Sequence, residues 1–149
     1  MTSHKALVLD ANIAVSAVLG ARVGFLLERY GDKVALFAPE VVFADARRHM
    51  PTVVAKRGGD LALILRSLAD LEAIIAVEPE ESYAAWRDEA LERIGARDPD
   101  DWHVVALALA VDCPIWTEDN DFFGAGLATW TTDRVEIFFR NAATQPSDE

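Results

Sequence analysis

Five aspartates stand where a carboxylate would have chemistry to do. Asp10 closes the short apolar run 6–9. Asp119 and Asp121 follow the run 114–117 within Thr-Glu-Asp-Asn-Asp-Phe. Asp45 comes three or four residues after Val41 and Val42, on what reads as the inward stripe of a helix. Asp101 precedes Val104 and Val105 on the face that also carries Ala108 and Val111. A lone buried carboxylate costs roughly several kcal/mol unless it is paired or holds a cation. Acids facing inward beside acids at strand ends therefore point to one shared site. Oxygen-only donors suit hard divalent ions such as Mg²⁺ or Mn²⁺. No His/Cys cluster has zinc spacing, and His103 reads as a capped or surface histidine. Taken singly, each acid has a plainer use: Asp10 and Asp101 as helix caps, Asp45 paired with Arg48 or His49, Asp119 and Asp121 in a polar loop. Their expected convergence at one rim gives the metal-site reading its weight.

Apolar periodicity outlines the elements that must position these acids. Short strands are expected over residues 6–9, 34–38, 114–117 and 128–131, with a brief extended segment at 74–77. A helix is expected over 14–30, interrupted near Gly20, and another from Pro39 to about Met50. Leu61, Ile64, Leu65, Leu68 and Leu71 mark a third helical face, and Tyr83, Trp86, Ala90, Leu91 and Ile94 a fourth. Residues 100–112 read as a helix stopped by Pro114, while 135–140 fit helix or strand. Strands alternating with amphipathic helices predict a parallel sheet covered on both faces. Such sheets bind ligands beyond the carboxyl ends of their strands, where Asp10, Asp119 and Asp121 fall.

Composition sets the frame. The 149 residues, 52 % hydrophobic, suit one domain over 1–140 with a frayed tail at 141–149. Cys113 is the single cysteine, which excludes an internal disulfide; in its apolar stretch it reads as a small core residue. The N-terminus has no signal-peptide pattern and no apolar run is long enough to span a membrane, so a soluble cytoplasmic protein without membrane partners is expected. A net charge of −11 argues against long-range attraction of a polyanion.

Four segments in order carry a resemblance: Val8-Leu9-Asp10-Ala11-Asn12, the stretch from Ala38 to Asp45, the stretch from Asp101 to Leu109, and the stretch from Trp116 to Phe122. Together they resemble the PIN domain family, including the VapC-like toxins of bacterial toxin–antitoxin pairs. The resemblance implies a three-layer α/β/α sandwich around a central parallel sheet and a Mg²⁺- or Mn²⁺-dependent hydrolysis of phosphodiesters, usually in RNA. Carried over by position, the catalytic acids are Asp10, Asp45, Asp101 and Asp119. Asp10 and Asp101 come first as metal ligands and Asp119 next. Asp45, where the family often has Glu, orients the attacking water, and Asp121 assists. Asn12 and Thr117 match polar residues that support the site. Two ions about 3.5–4 Å apart would stabilise attacking and leaving oxygens together. Phosphate contacts beyond the metal would fall to Arg47, Arg48, Lys56 and Arg57, in the densest basic stretch, with Arg66, Arg93 and Arg97 further along. A protein antitoxin and a second copy of the chain are the expected protein partners.

Two other classes share an aspartate after a parallel strand. Haloacid-type phosphatases use Asp-x-Asp there, and this chain has Asn12 at the third place. Receiver domains need a lysine after a late strand, and the lysines here are Lys5, Lys33 and Lys56. Both fit poorly. A non-catalytic PIN-like interaction module remains the main competitor, and the full acid set argues against it.

Overall fold

The central strand is buried along its second half. In β1 (Lys5–Leu9), Leu7, Val8 and Leu9 are fully buried. The computed structural model, which describes residues 5–94 and 98–144, pairs β1 in parallel with β2 (Val34–Pro39) on one side and β4 (Ile115–Trp116) on the other. β3 (Ala76–Glu78) and β5 (Thr129–Trp130) complete a five-stranded parallel sheet in the order β3-β2-β1-β4-β5. Among the described residues seven α-helices flank it: α1 (Ala11–Leu19), α2 (Ala21–Tyr30), α3 (Glu40–Arg57), α4 (Leu61–Ile74), α5 (Arg87–Ile94), α6 (Trp102–Val111) and α7 (Val135–Thr144). This is the expected α/β/α arrangement. No single helix among the described residues is long and apolar enough to cross a membrane.

The chain fills one half of the sheet through β3 and then returns to the other side of β1. The topological switch point therefore lies between β1 and β4, where open α/β sheets form their ligand crevice. The register pairs Leu9 with Trp116, so Asp10 and Thr117 emerge next to each other at the carboxyl edge.

Several boundaries differ from expectation. α3 runs through Pro51 to Arg57 instead of ending near Met50. Met50 and Val54, one turn apart, are both buried, and their packing carries the helix past the proline. Gly58, at φ 92°, then stops it. The stretch around Tyr83 is not a continuous helix. Two 3-10 turns, Glu80–Ser82 and Ala84–Trp86, lead into α5, because the Tyr83 backbone (φ −129°, ψ 4°) leaves the helical region. A third 3-10 turn, Pro99–Asp101, precedes α6 and places Asp101 just before the α-helix rather than within it. α6 buries Trp102 and then Val104 to Ala108 without interruption, so it is a central helix and not a one-sided stripe. The ambiguous 135–140 segment is helical. Val135, Phe138 and Phe139 form its buried face, and Phe139 stacks on Tyr30 at 5.3 Å. α7 continues to Thr144, four residues past the expected domain edge; 145–149 lie outside the described residues, as does Arg97. Cys113 is buried as expected, with its thiol pushed up to about 12 by burial.

Candidate metal centre

Asp10 and Thr117 are the buried polar residues among those described, and they bond to each other. Asp10 caps α1: its Oδ1 accepts from the Ile13 amide at 3.0 Å, and its Oδ2 accepts from the Thr117 hydroxyl. The Thr117 oxygen in turn accepts from the Asp119 amide at 2.9 Å, and Asp119 Oδ1 accepts from the Asp121 amide at 2.9 Å. A relay of short turns thus runs from the end of β1 to the 3-10 turn Asn120–Phe122, which Phe122 pins into the core. Despite its two donors, Asp10 is pushed up to about 6, mainly by burial, with the Asp119 charge adding to the effect.

Asp101 approaches from the opposite limb of the crevice. Its carboxyl is pushed up to about 7, first by burial and then by the charges of Asp98, Asp119, Asp10 and Asp121. Its Oδ2 is buried with no hydrogen-bond partner among the described residues. Buried polar atoms are rarely left so, and a cation would satisfy this one. Oxygens of Asp98, Asp101 and Asp121 lie within 4.8 Å of one another, close enough for one ion to bridge. The donor set is all carboxylate and suits a hard divalent ion.

The structure therefore gathers Asp10, Asp101, Asp119 and Asp121 around one crevice. It adds Asp98, which the sequence reading missed. Asp98 sits three residues before Asp101, caps the 3-10 turn by accepting from the Asp100 amide at 3.1 Å, and is tied by its own amide to Ile94. The i, i+3 spacing of Asp98 and Asp101 around Pro99 was the available signal. Asp45 is not drawn into the close triad. The buried face of α3 is Val42, Phe43, Ala46, Met50 and Val54, which leaves Asp45 at its edge. There it pairs with Arg48 at 2.8 Å, with its side chain 34 % exposed. Asn12 is exposed in the first turn of α1.

The basic stretch is largely engaged elsewhere. Arg47 pairs with Glu72 of α4 at 2.6 Å, and Arg57 donates to the Leu19 carbonyl at 2.6 Å. At about 1.5 Å rise per residue, Lys56 and Arg57 lie roughly 24 Å down α3 from its start at the rim. His103 is not a surface histidine. Its Nδ1 is hydrogen-bonded to the Tyr83 hydroxyl at 2.8 Å, its ring stacks on Trp102 at 4.0 Å, and burial lowers its pKa.

A doubly covered parallel sheet with a carboxylate cluster at its switch point defines a class of α/β domain whose clustered acids could hold a metal ion. The PIN domain family model matches residues 8–140, and the chain belongs to that family. Solved structures agree in fold. A Pyrobaculum aerophilum protein superposes with a TM-score of 0.68 at 17 % identity, covering 95 % of this chain and 97 % of its own. A VapBC protein of Rickettsia felis, solved bound to a DNA fragment from its promoter, gives 0.60 at 16 %, with coverage of 85 % and 98 %. A Mycobacterium tuberculosis VapC described as a sarcin–ricin loop cleaving toxin gives 0.57 at 17 %, with coverage of 82 % and 96 %. No curated protein matches the chain.

Proposed function

We propose that this protein is a divalent-metal-dependent endoribonuclease of the VapC-toxin type, using Mg²⁺ or Mn²⁺. The orphaned, buried Oδ2 of Asp101 amid four other aspartates carries the reading. Family membership supports it, as does the likeness to a toxin described as cleaving the sarcin–ricin loop. Asp101 is the central ligand. Asp10, Asp119 and Asp121 on the sheet side, and Asp98 beside Asp101 on the opposite limb, supply further oxygens directly or through water. When bound, such an ion neutralises phosphoryl oxygens and acidifies water for attack on phosphorus. Thr117 holds Asp10 in one orientation and fixes Asp119 through its backbone, so the carboxylates are in place before substrate arrives. Burial, with neighbouring negative charge adding to it, favours the protonated forms of Asp10 and Asp101, and the cation takes the place of those protons. Asp45, paired with Arg48, is proposed to act on water at the edge of the crevice. An antitoxin is the proposed protein partner, by likeness to neighbours solved as toxin–antitoxin complexes.

The test is RNA cleavage with Mg²⁺ or Mn²⁺ by the parent, Asp101→Asn, Asp10→Asn and the control Asp112→Asn at the far end of α6. The expected result is loss of more than about 100-fold for the first two and near-parent activity for the control, with the double variant Asp10→Asn/Asp101→Asn little worse than either single. Metal binding without cleavage would instead favour a non-catalytic interaction module. An Asp101→Asn chain that cleaves like the parent would overturn the site.

A further inference from the structure

We infer that Arg93 is a positioning residue for the metal centre, tying together the two limbs that carry Asp98 and Asp121; the inference rests on the metal-site reading above. Arg93 lies in the last turn of α5. Its Nε and Nη2 donate to Glu89 Oε2 at 3.2 and 2.7 Å, one turn back on the same helix. That grip aims Nη1 outward, where it donates to the Ala125 carbonyl at 2.8 Å. On one side of this clamp, the residue after Arg93 accepts the Asp98 amide through its carbonyl at 3.1 Å. On the other side, Ala125 is buried, and its amide donates to Phe122, which follows Asp121 directly. Each bond in the loop closes a tight turn, so the position of Ala125 is transmitted to Asp121 within four residues. Gly126 belongs to the same device. It has φ 84°, and a Cβ there would overlap Nη1 of Arg93. Bare Cα at this point lets the guanidinium reach the carbonyl. Side chains that orient ligands from behind commonly affect metal affinity by about 10–100-fold.

The experiment measures Mn²⁺ affinity by calorimetry, and amide hydrogen exchange of the metal-free protein, for the parent, Arg93→Ala, Arg93→Lys and Gly126→Ala. Asp60→Ala, at the start of α4, supplies a destabilised control. Faster exchange at Asp121, Phe122 and Ala125 is expected in all three clamp variants, with Mn²⁺ affinity at least about tenfold weaker. Lysine should not rescue, because it lacks the fork. In the double variant Arg93→Ala/Gly126→Ala the loss should be close to that of Arg93→Ala alone, since both changes break the contact of Arg93 with the Ala125 carbonyl. Gly126→Ala keeps every charge, so it answers the question even where Arg93→Ala folds poorly. Unchanged exchange in the loop, or affinity within twofold of the parent in both Arg93→Ala and Gly126→Ala, overturns the inference while leaving the metal site intact. Affinity that falls equally in Asp60→Ala shows a merely structural role and also overturns it. A parent chain that binds no Mn²⁺ sinks the metal-site reading, and this inference with it.

Discussion

Asp10 and Asp101 carry opposite histories of partnership into the same crevice. Asp10 is buried yet accepts two hydrogen bonds, while Asp101 leaves one oxygen unmatched. Both are raised, to about 6 and about 7, from an ordinary 3.8. A carboxyl with a raised folded pKa favours folding fully below its unfolded value and loses that contribution as pH rises through the folded one. In EDTA, the double variant Asp10→Asn/Asp101→Asn should therefore melt above the parent at pH 8, by a margin that shrinks steadily as pH falls to 5. His103, lowered by burial, pulls the other way below its own range, but it is present in both chains and cancels. Mn²⁺ affinity of the parent should weaken over the same interval, because the cation competes with protons. A melting difference independent of pH would show that neither acid is perturbed. At this scale Asp10, Asp101, Asp119 and Asp121 were legible, because strand ends and helix starts announce themselves in sequence. Asp98 was not: its approach depends on how the end of α5 folds back. Asp45 was misjudged in facing, because the phase of α3 follows Val42, Phe43 and Ala46, and a one-residue shift moves a side chain by about 100°.

Elements show how one local device can serve two ends. Asp10 caps α1, and Asp60 caps α4 by accepting from Ala62 and Leu63 at 3.1 and 3.3 Å. The Asp60 cap is exposed and stands alone. Asp60→Ala should cost about 1 kcal/mol, Asp60→Asn almost nothing, and neither should alter Mn²⁺ affinity. Asp10→Asn should likewise keep its cap and fold, yet abolish metal binding at the crevice. Chemical denaturation paired with calorimetry separates the two. Metal affinity retained in Asp10→Asn would reduce Asp10 to a cap. The existence of most elements could be read from periodicity. The 3-10 turns could not, since Tyr83 and Trp86 sit at helical spacing while the backbone between them departs from the helix. Nor could the extension of α3 past Pro51, which is decided by tertiary burial of Met50 and Val54.

For the whole molecule, the parallel class followed from alternation of elements, but the strand order did not. No residue type says that the chain returns beside β1 after β3; that choice is made by which apolar faces cover one another. It is also the choice that brings the end of β1 against the end of β4 and assembles the crevice. The net charge of −11 is thus partly concentrated where it disfavours the empty fold. Under the proposed function, activity and durability are set against each other in this chain. Random libraries screened only for survival of heat, without divalent ions, should enrich neutral replacements at positions 10 and 101 ahead of changes in the apolar interior. The same libraries heated in Mn²⁺ should retain the acids. If both screens return the same substitutions, the crevice carries no such tension. If they diverge, the burial of Asp10 beside Thr117 means that selection for robustness alone would erode this protein from its working centre outward, leaving a sturdier scaffold with nothing left to do.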